Sequence, residues 1–247
     1  MKPDRPRLLP DPTIDRDQMV ALQREISELA SFHDHPTVDS ALETCRVTGI
    51  DQAFANGQAI SAAVTMVDGD VIEESIGRVP LEMPYVPGLL AFREGMAVVL
   101  ALRSLATDPG VLVLDGNGRI HQRGAGLATH IGVLFDVPAV GIAKQLLCGR
   151  LVDPPEEPYP MGTRIPIDDD PDMDVPTGTR IGYAVQTRQF DSPRRTINPV
   201  YVSPGHRISA ATAADLAMAT TAGYKLPEPV RRADSLADER RIAELEG

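Results

Sequence analysis

The chain has no tryptophan, two cysteines and only 4% aromatic residues in its 247 positions. Cys45 and Cys148 stand far apart with no Cys-x-x-Cys spacing, which excludes a disulfide framework and a thiolate zinc site. Both read as reduced, buried thiols, and nothing beside either supports a cysteine nucleophile. No run approaches the ~18 apolar residues of a membrane span. The opening Met-Lys-Pro-Asp-Arg-Pro-Arg has no apolar core of a secretory leader, so a cytoplasmic protein without a membrane partner is expected. Lysine is nearly missing: it occurs at positions 2, 144 and 225 only, and every other fixed cation is arginine. With a formal charge of −11, the chain cannot present a broadly basic face to nucleic acid, because phosphate neutralisation needs cations. Any such contact must use a local arginine or lysine strip. Abundant Asp and Glu with few Lys suits a chain kept solvated in strong salt, hence a halophilic source, or equally an ordinary acidic cytosolic protein from a GC-rich genome.

The length fits one large domain able to bury a full core, and a hydrophobic fraction of 43% is ordinary for a globular protein. Residues 1–14 form a Pro-rich, extended arm. Met19, Leu22, Ile26 and Leu29 then fall at helical intervals, with Asp15 or Asp17 as N-cap. Strands are expected over Cys45–Phe54, Gln58–Val67 and Val71–Val79, separated by the hairpin turns Asn56-Gly57 and Asp68-Gly69. A helix over Leu89–Leu105 follows, then the strand from Val111, a helix near Leu127–Phe135 and a short strand Ala139–Ile142. Three meander strands followed by alternating helix and strand predict a mixed α/β sheet. The acidic, Pro-rich stretch 153–176 lacks the spaced ligands of a calcium loop and reads as a solvated surface loop. Strands over Thr179–Arg188 and Pro199–Ser203 and a helix capped by Ser209 complete a domain spanning 15–225. The charged tail 226–247 is a loose peripheral helix or disordered. No repeat and no second domain are visible.

Two stretches organise the rest. Pro84-Tyr-Val-Pro-Gly88 is a stiff turn opening a helix that carries Glu94 in its first two turns. Val111-Leu-Val-Leu-Asp115-Gly-Asn-Gly is a buried strand running out into a tight turn. Carboxylates on a helix start and a strand end can converge on a divalent cation, and Asp51, after Val47-Thr-Gly-Ile, is the third candidate. Phosphodiester hydrolysis uses such a set of hard oxygen ligands for Mg²⁺. Taken alone, each acidic residue reads as surface solvation, His206 as a backbone-bonded histidine before a helix, Lys144 as a snorkelling strand-end lysine, and Tyr85 as a core filler under a loop.

Pro84-Tyr-Val-Pro87, Phe92-Arg-Glu94 and Asp115-Gly-Asn-Gly118 resemble the signature blocks of the endonuclease V family, which cuts beside deaminated bases. The resemblance continues through Arg123–His130, Val137–Lys144, Gly49-Ile-Asp51 and Ser203–Arg207, covering about residues 15 to 222 in the family's order. It implies a ribonuclease H-like fold and a Mg²⁺-dependent endonuclease, with Mn²⁺ as substitute. The implied substrate is inosine-containing nucleic acid, DNA before RNA. The implied cut falls at the second phosphodiester bond 3′ to the lesion and leaves a 3′-hydroxyl and a 5′-phosphate. It places metal-binding carboxylates at Asp51, Glu94 and Asp115 and assigns His206 to the catalytic set; Lys144, a rare lysine after the strand 137–142, is expected to join them by stabilising phosphoryl charge. It makes the turn of Tyr85 and Pro87 a wedge between bases. It forms a hypoxanthine pocket from Gly88, Leu90, Gly116, Gly126, Leu127 and Leu147. His121 is expected to contact sugar or phosphate, and His130 to be structural. A monomer is expected. The rivals are another ribonuclease H-like nuclease (a junction resolvase or hybrid cutter), a non-catalytic reader of modified bases, and a small-molecule enzyme on the same fold.

Overall fold

Asn56-Gly57 and Asp68-Gly69 hold φ of 48° and 73°, and of 50° and 89°, the paired positive angles of hairpin turns whose twist matches that of the flanking strands. They join β1 (Val47–Ala55), β2 (Gln58–Val67) and β3 (Asp70–Pro80) into an antiparallel meander. The computed structural model describes residues 1–191 and 195–246; Gly247 of the expected tail lies outside them. The far side of β1 pairs in parallel with β4 (Val111–Asp115), and β4 in parallel with β5 (Ala139–Ala143). Beyond β5 the antiparallel strands β9 (Val200–His206), β8 (Arg180–Val185), β7 (Arg164–Asp168) and β6 (Arg150–Leu151) extend the sheet. Among the described residues the sheet has nine strands in the order β3-β2-β1-β4-β5-β9-β8-β7-β6. Its first five form the mixed α/β core that the residue pattern predicts, in the order expected of the ribonuclease H-like fold that the resemblance implies.

Helices cover both faces. On one, α3 (Leu90–Ser104) and α4 (Leu127–Phe135) lie against the sheet, with α1 (Arg16–Leu29) packed on α4, and Val98, Leu102, Ile131 and Leu134 meet the strand residues Ile50, Leu112 and Leu114. On the other, α2 (Pro36–Glu43), α5 (Ala210–Ala219) and α6 (Glu228–Glu246) bring Val38, Ala213, Leu216 and Val230 onto Val47, Val111, Val113 and Val140. Parallel strands covered on both sides read as unbroken apolar runs, as Val111–Leu114 does. Asp15 caps α1 in a reciprocal capping box with Gln18.

Several expectations need correcting. The arm 1–14 is docked rather than extended. It contains a 3-10 turn at Pro6–Leu8; Leu8 is fully buried, and its carbonyl accepts a 2.7 Å hydrogen bond from His130 Nε2. The tail is neither loose nor disordered. In α6, Pro229, Val230, Ala233, Leu236 and Ala237 are buried against β1 and β2. Burial of a full apolar side chain contributes about 1.5–3 kcal/mol, enough to hold a helix whose exposed face is almost wholly charged. The stretch 153–176 is not merely solvated, because Ile165 and Ile167 of β7 join Tyr159, Met173 and Ile181 in a satellite core. The helix α2, begun by Pro36 at a position that needs no N–H, was not foreseen. Cys45 is exposed at a positive φ just before β1, and Cys148 is only partly covered; neither is a buried core thiol.

Candidate active site

β1 and β4 are in register with Ile50 opposite Leu114, so Asp51 and Asp115 are the next pair along two adjacent parallel strands. Asp51 is buried and accepts the Gln52 N–H at 2.7 Å, and the Asp234 carboxyl of α6 stands close enough to act on it. Burial, then the charge of Asp115, pushes its carboxyl up to about 8. Glu94, in the second turn of α3, is buried as well. Burial raises its carboxyl to about 7, Asp115 adding to the effect and Arg93 opposing it. Asp115 is thus the common neighbour of Asp51 and Glu94. Lys144, one residue past β5, places Nζ 2.9 Å from Asp115 Oδ2. Burial works against its charge, but Asp115, Asp51 and Asp234 together raise its pKa.

Among the described residues no three His, Cys, Asp or Glu side chains stand as a ready-made metal cage. The donor chemistry nonetheless fits a hard divalent cation. Carboxylates forced into one partly dry neighbourhood resist ionisation until a cation joins them, and the raised pKa values of Asp51 and Glu94 are that resistance. Asp51, Glu94, Asp115 and Asp234 are the residues that would hold it.

Beside this cluster lies a cavity lined by Tyr85, Gly88, Leu90, Gly126, Leu127, Leu147, Asn117 and His121, together with Gln23, Ala91 and Ala125. Asn117 is two residues from Asp115, which ties the cavity to the acidic cluster through one turn. Five of the six expected base-pocket positions therefore meet. Gly116 does not line the space; a side chain there would contact Leu127 instead. Pro87 also stands outside the lining, but Tyr85 projects from the turn with 62% of its surface exposed. The ring is out of the core, while Val86 and Leu89 at the foot of the turn pack with Met19 and Phe92.

Two histidines are not where the resemblance implies. His206 pairs with Ala139, whereas Asp115 pairs with Ile142. The two are three residues apart along β5, roughly 10 Å at the rise of a strand. His206 Nδ1 accepts the Ser31 N–H at 3.1 Å, and Nε2 donates to Asp136 Oδ1 at 3.2 Å. Asp136 also binds Arg5 and Arg207. The histidine therefore braces the opposite end of the sheet and joins no metal shell. His121 lines the cavity with both ring nitrogens occupied: Nε2 donates to Gly88 O at 3.0 Å, and Nδ1 accepts the Arg123 N–H at 3.2 Å. Burial lowers its pKa to about 4, so it is a neutral prop for the turn and offers no hydrogen bond to sugar or phosphate. His130 is structural as expected.

Sequence reasoning missed Asp234 and Gln23. Asp234 follows Ala233 on the flank of a helical face formed by Val230, Ala233 and Ala237, a periodicity that small alanines make faint. Gln23 sits in α1 among charged neighbours, with nothing local to mark it.

The family model described as Endonuclease V matches residues 27–235. The chain is 50% identical to the endonuclease V of Haloarcula marismortui, over 97% of both chains. Among solved structures it is similar to the endonuclease V of Streptomyces avermitilis, with 33% identity, a TM-score of 0.78 and 98% of each chain covered. It also shares the fold of a Ciona intestinalis endonuclease V complexed with a 24mer DNA containing an inosine followed by a ribo-adenosine. There the TM-score is 0.72 at 24% identity, over 92% of this chain and 98% of that one.

Proposed function

Because this chain belongs to the endonuclease V family, and so is an endonuclease that hydrolyses phosphodiester bonds, we propose that it nicks inosine-containing nucleic acid in a DNA-repair role. The cut falls at the second phosphodiester bond 3′ to the lesion and leaves a 3′-hydroxyl and a 5′-phosphate. The observation that carries this reading is the alignment of Asp51 and Asp115 on adjacent strands, two residues from the wall of a glycine-lined cavity. The inosine-containing DNA bound by the Ciona relative supports the substrate class.

The chain's own groups divide the work. Tyr85, on its stiff turn, enters the base stack and offsets part of the unstacking cost of a few kcal/mol. Gly88 and Gly126 let backbone approach the extruded base, and Leu90, Leu127 and Leu147 close around its faces. Asp51, Glu94, Asp115 and Asp234 hold Mg²⁺, with Mn²⁺ able to replace it. Bound there, the ion would supply charge neutralisation to the scissile phosphate and favour attack by water. Lys144 pairs with Asp115 and presents its ammonium to the developing phosphoryl charge. His206 is left out of this scheme on the geometry above. The protein acts as a monomer.

The test is a labelled duplex with one inosine, compared with the same duplex carrying adenine. Mg²⁺ should give a single nick in the inosine strand only, ending in 5′-phosphate, and a chelator should abolish it. Cleavage of both duplexes alike would reject the assignment.

A further inference from the structure

The Gly88 carbonyl receives three donors. Gln23 Nε2 lies 2.8 Å from it, His121 Nε2 3.0 Å and Arg123 Nη2 3.1 Å. A carbonyl has two lone pairs, so a third donor leaves it no freedom to turn. Gly88 itself sits at φ 78°, a conformation that side chains resist. Its carbonyl is thus the fixed point at which the Pro84–Gly88 turn meets α3.

Of the three donors, His121 and Arg123 come from the loop after β4 that lines the cavity, whereas Gln23 comes from α1. Gln23 is 1% exposed, and its other end, Oε1, accepts from Arg123 Nε at 2.7 Å. Its amide therefore points one way only: the NH₂ group meets a carbonyl, and the C=O meets a guanidinium. Reversing it would set like against like at both ends. Both polar atoms of the amide are engaged by protein groups, which fix its orientation at the edge of the cavity. Below it, Met19 of the same helix packs with Leu89 and Phe92, and Leu22 and Val86 lie against them. α1 thus grips the turn twice, through an apolar foot and through this amide.

We propose that Gln23 is a positioning residue that fixes the height and direction of Tyr85 above the cavity, and so determines how well the enzyme opens a paired lesion. The inference rests on the wedge reading given above. It makes a prediction that neither a folding role nor a direct base contact makes. An unpaired base needs little wedging, so loss of Gln23 should harm duplex substrate selectively. Contact with the base, or general instability, would harm duplex and single strand equally.

The experiment compares Gln23→Leu, Gln23→Glu, Tyr85→Ala and the Gln23→Leu/Tyr85→Ala double variant with the native enzyme. Single-turnover cleavage is measured on one inosine strand, alone and in duplex. Gln23→Leu keeps the size of the side chain, and Gln23→Glu keeps the acceptor for Arg123 while removing the donor to Gly88. Both should lower the duplex-to-single-strand ratio by roughly tenfold, the scale of one well-placed buried hydrogen bond. The double variant should show the ratio of Tyr85→Ala alone, since both lesions break one device. An unchanged ratio in both Gln23 variants, or a double variant showing the product of the two single losses, would overturn the proposal. If Tyr85→Ala also leaves the ratio unchanged, the wedge reading fails with it. If Tyr85→Ala lowers the ratio and the Gln23 variants do not, only the role of Gln23 fails.

Discussion

At the scale of the residue, the acidic cluster has a thermodynamic signature. Asp51 and Glu94 hold their protons to about 8 and about 7, well above the unfolded values near 4. A group whose folded pKa is raised contributes stability that is fully present below its unfolded pKa and lost as pH rises through the folded one. The metal-free protein should therefore lose thermal stability between about pH 4 and pH 8. Added Mg²⁺ should restore it at the upper end, and Asp51→Asn should remove the part of the loss nearest pH 8 while leaving that of Glu94. Melting curves with and without chelator check this; a metal-free profile indifferent to pH in Asp51 would contradict it. His206 gives the opposite test. Its nitrogens serve Ser31 and Asp136, so His206→Asn should lower the melting temperature by several degrees, as loss of buried hydrogen bonds does. Its kcat should stay within about threefold of native, since no reacting group is touched. A hundredfold fall in kcat with an unshifted melting temperature would return the histidine to the catalytic set. Asp51, Glu94 and Asp115 were legible in the chain because each follows or interrupts an apolar run, Asp115 at the end of β4, Asp51 midway along β1 and Glu94 in the second turn of α3. His206 misled because its motif says nothing of which end of a strand it occupies, and register alone decides that.

At the scale of the element, β2, β4, α4 and the two hairpins were readable from alternation, apolar runs and Asn-Gly or Asp-Gly turns. α6 was readable only as a loose helix or as disorder, because its packed face relies on Ala233 and Ala237, residues too small to stand out from a charged run. That helix closes the sheet over β1 and delivers Asp234 to Asp51. Asp234→Asn should cut cleavage by about 10²–10³-fold, the range for losing one aligned electrostatic group, with little change in melting temperature because the residue is exposed. Truncation before Pro227 should lose both activity and stability by uncovering Ala62, Val64 and Met66. Activity assays paired with melting curves separate the two effects. A truncated chain as stable as the native one would show that α6 is not part of the core. The long acidic stretch was misjudged for a related reason: Ile165 and Ile167 form a five-residue strand that its proline-rich surroundings conceal.

At the scale of the molecule, a net charge of −11 opposes both compactness and approach to a polyanion. Salt screens that self-repulsion within a Debye length of about 10 Å at 0.1 M. The melting temperature should therefore rise with KCl into the molar range, and lesion binding should weaken with salt less steeply than for a basic nuclease. A chain destabilised by added salt would remove the solvation argument for its composition. The central claim is narrower: acidic side chains from β1, α3, β4 and α6 gather about one hard cation. Its most direct measurement is anomalous diffraction from crystals soaked in Mn²⁺, native and Asp115→Asn. The account predicts a Mn²⁺ peak bounded by carboxyl oxygens of Asp51 and Asp115 in the native crystal and absent in the variant. A peak elsewhere in both crystals, with none between those two strands, would contradict it.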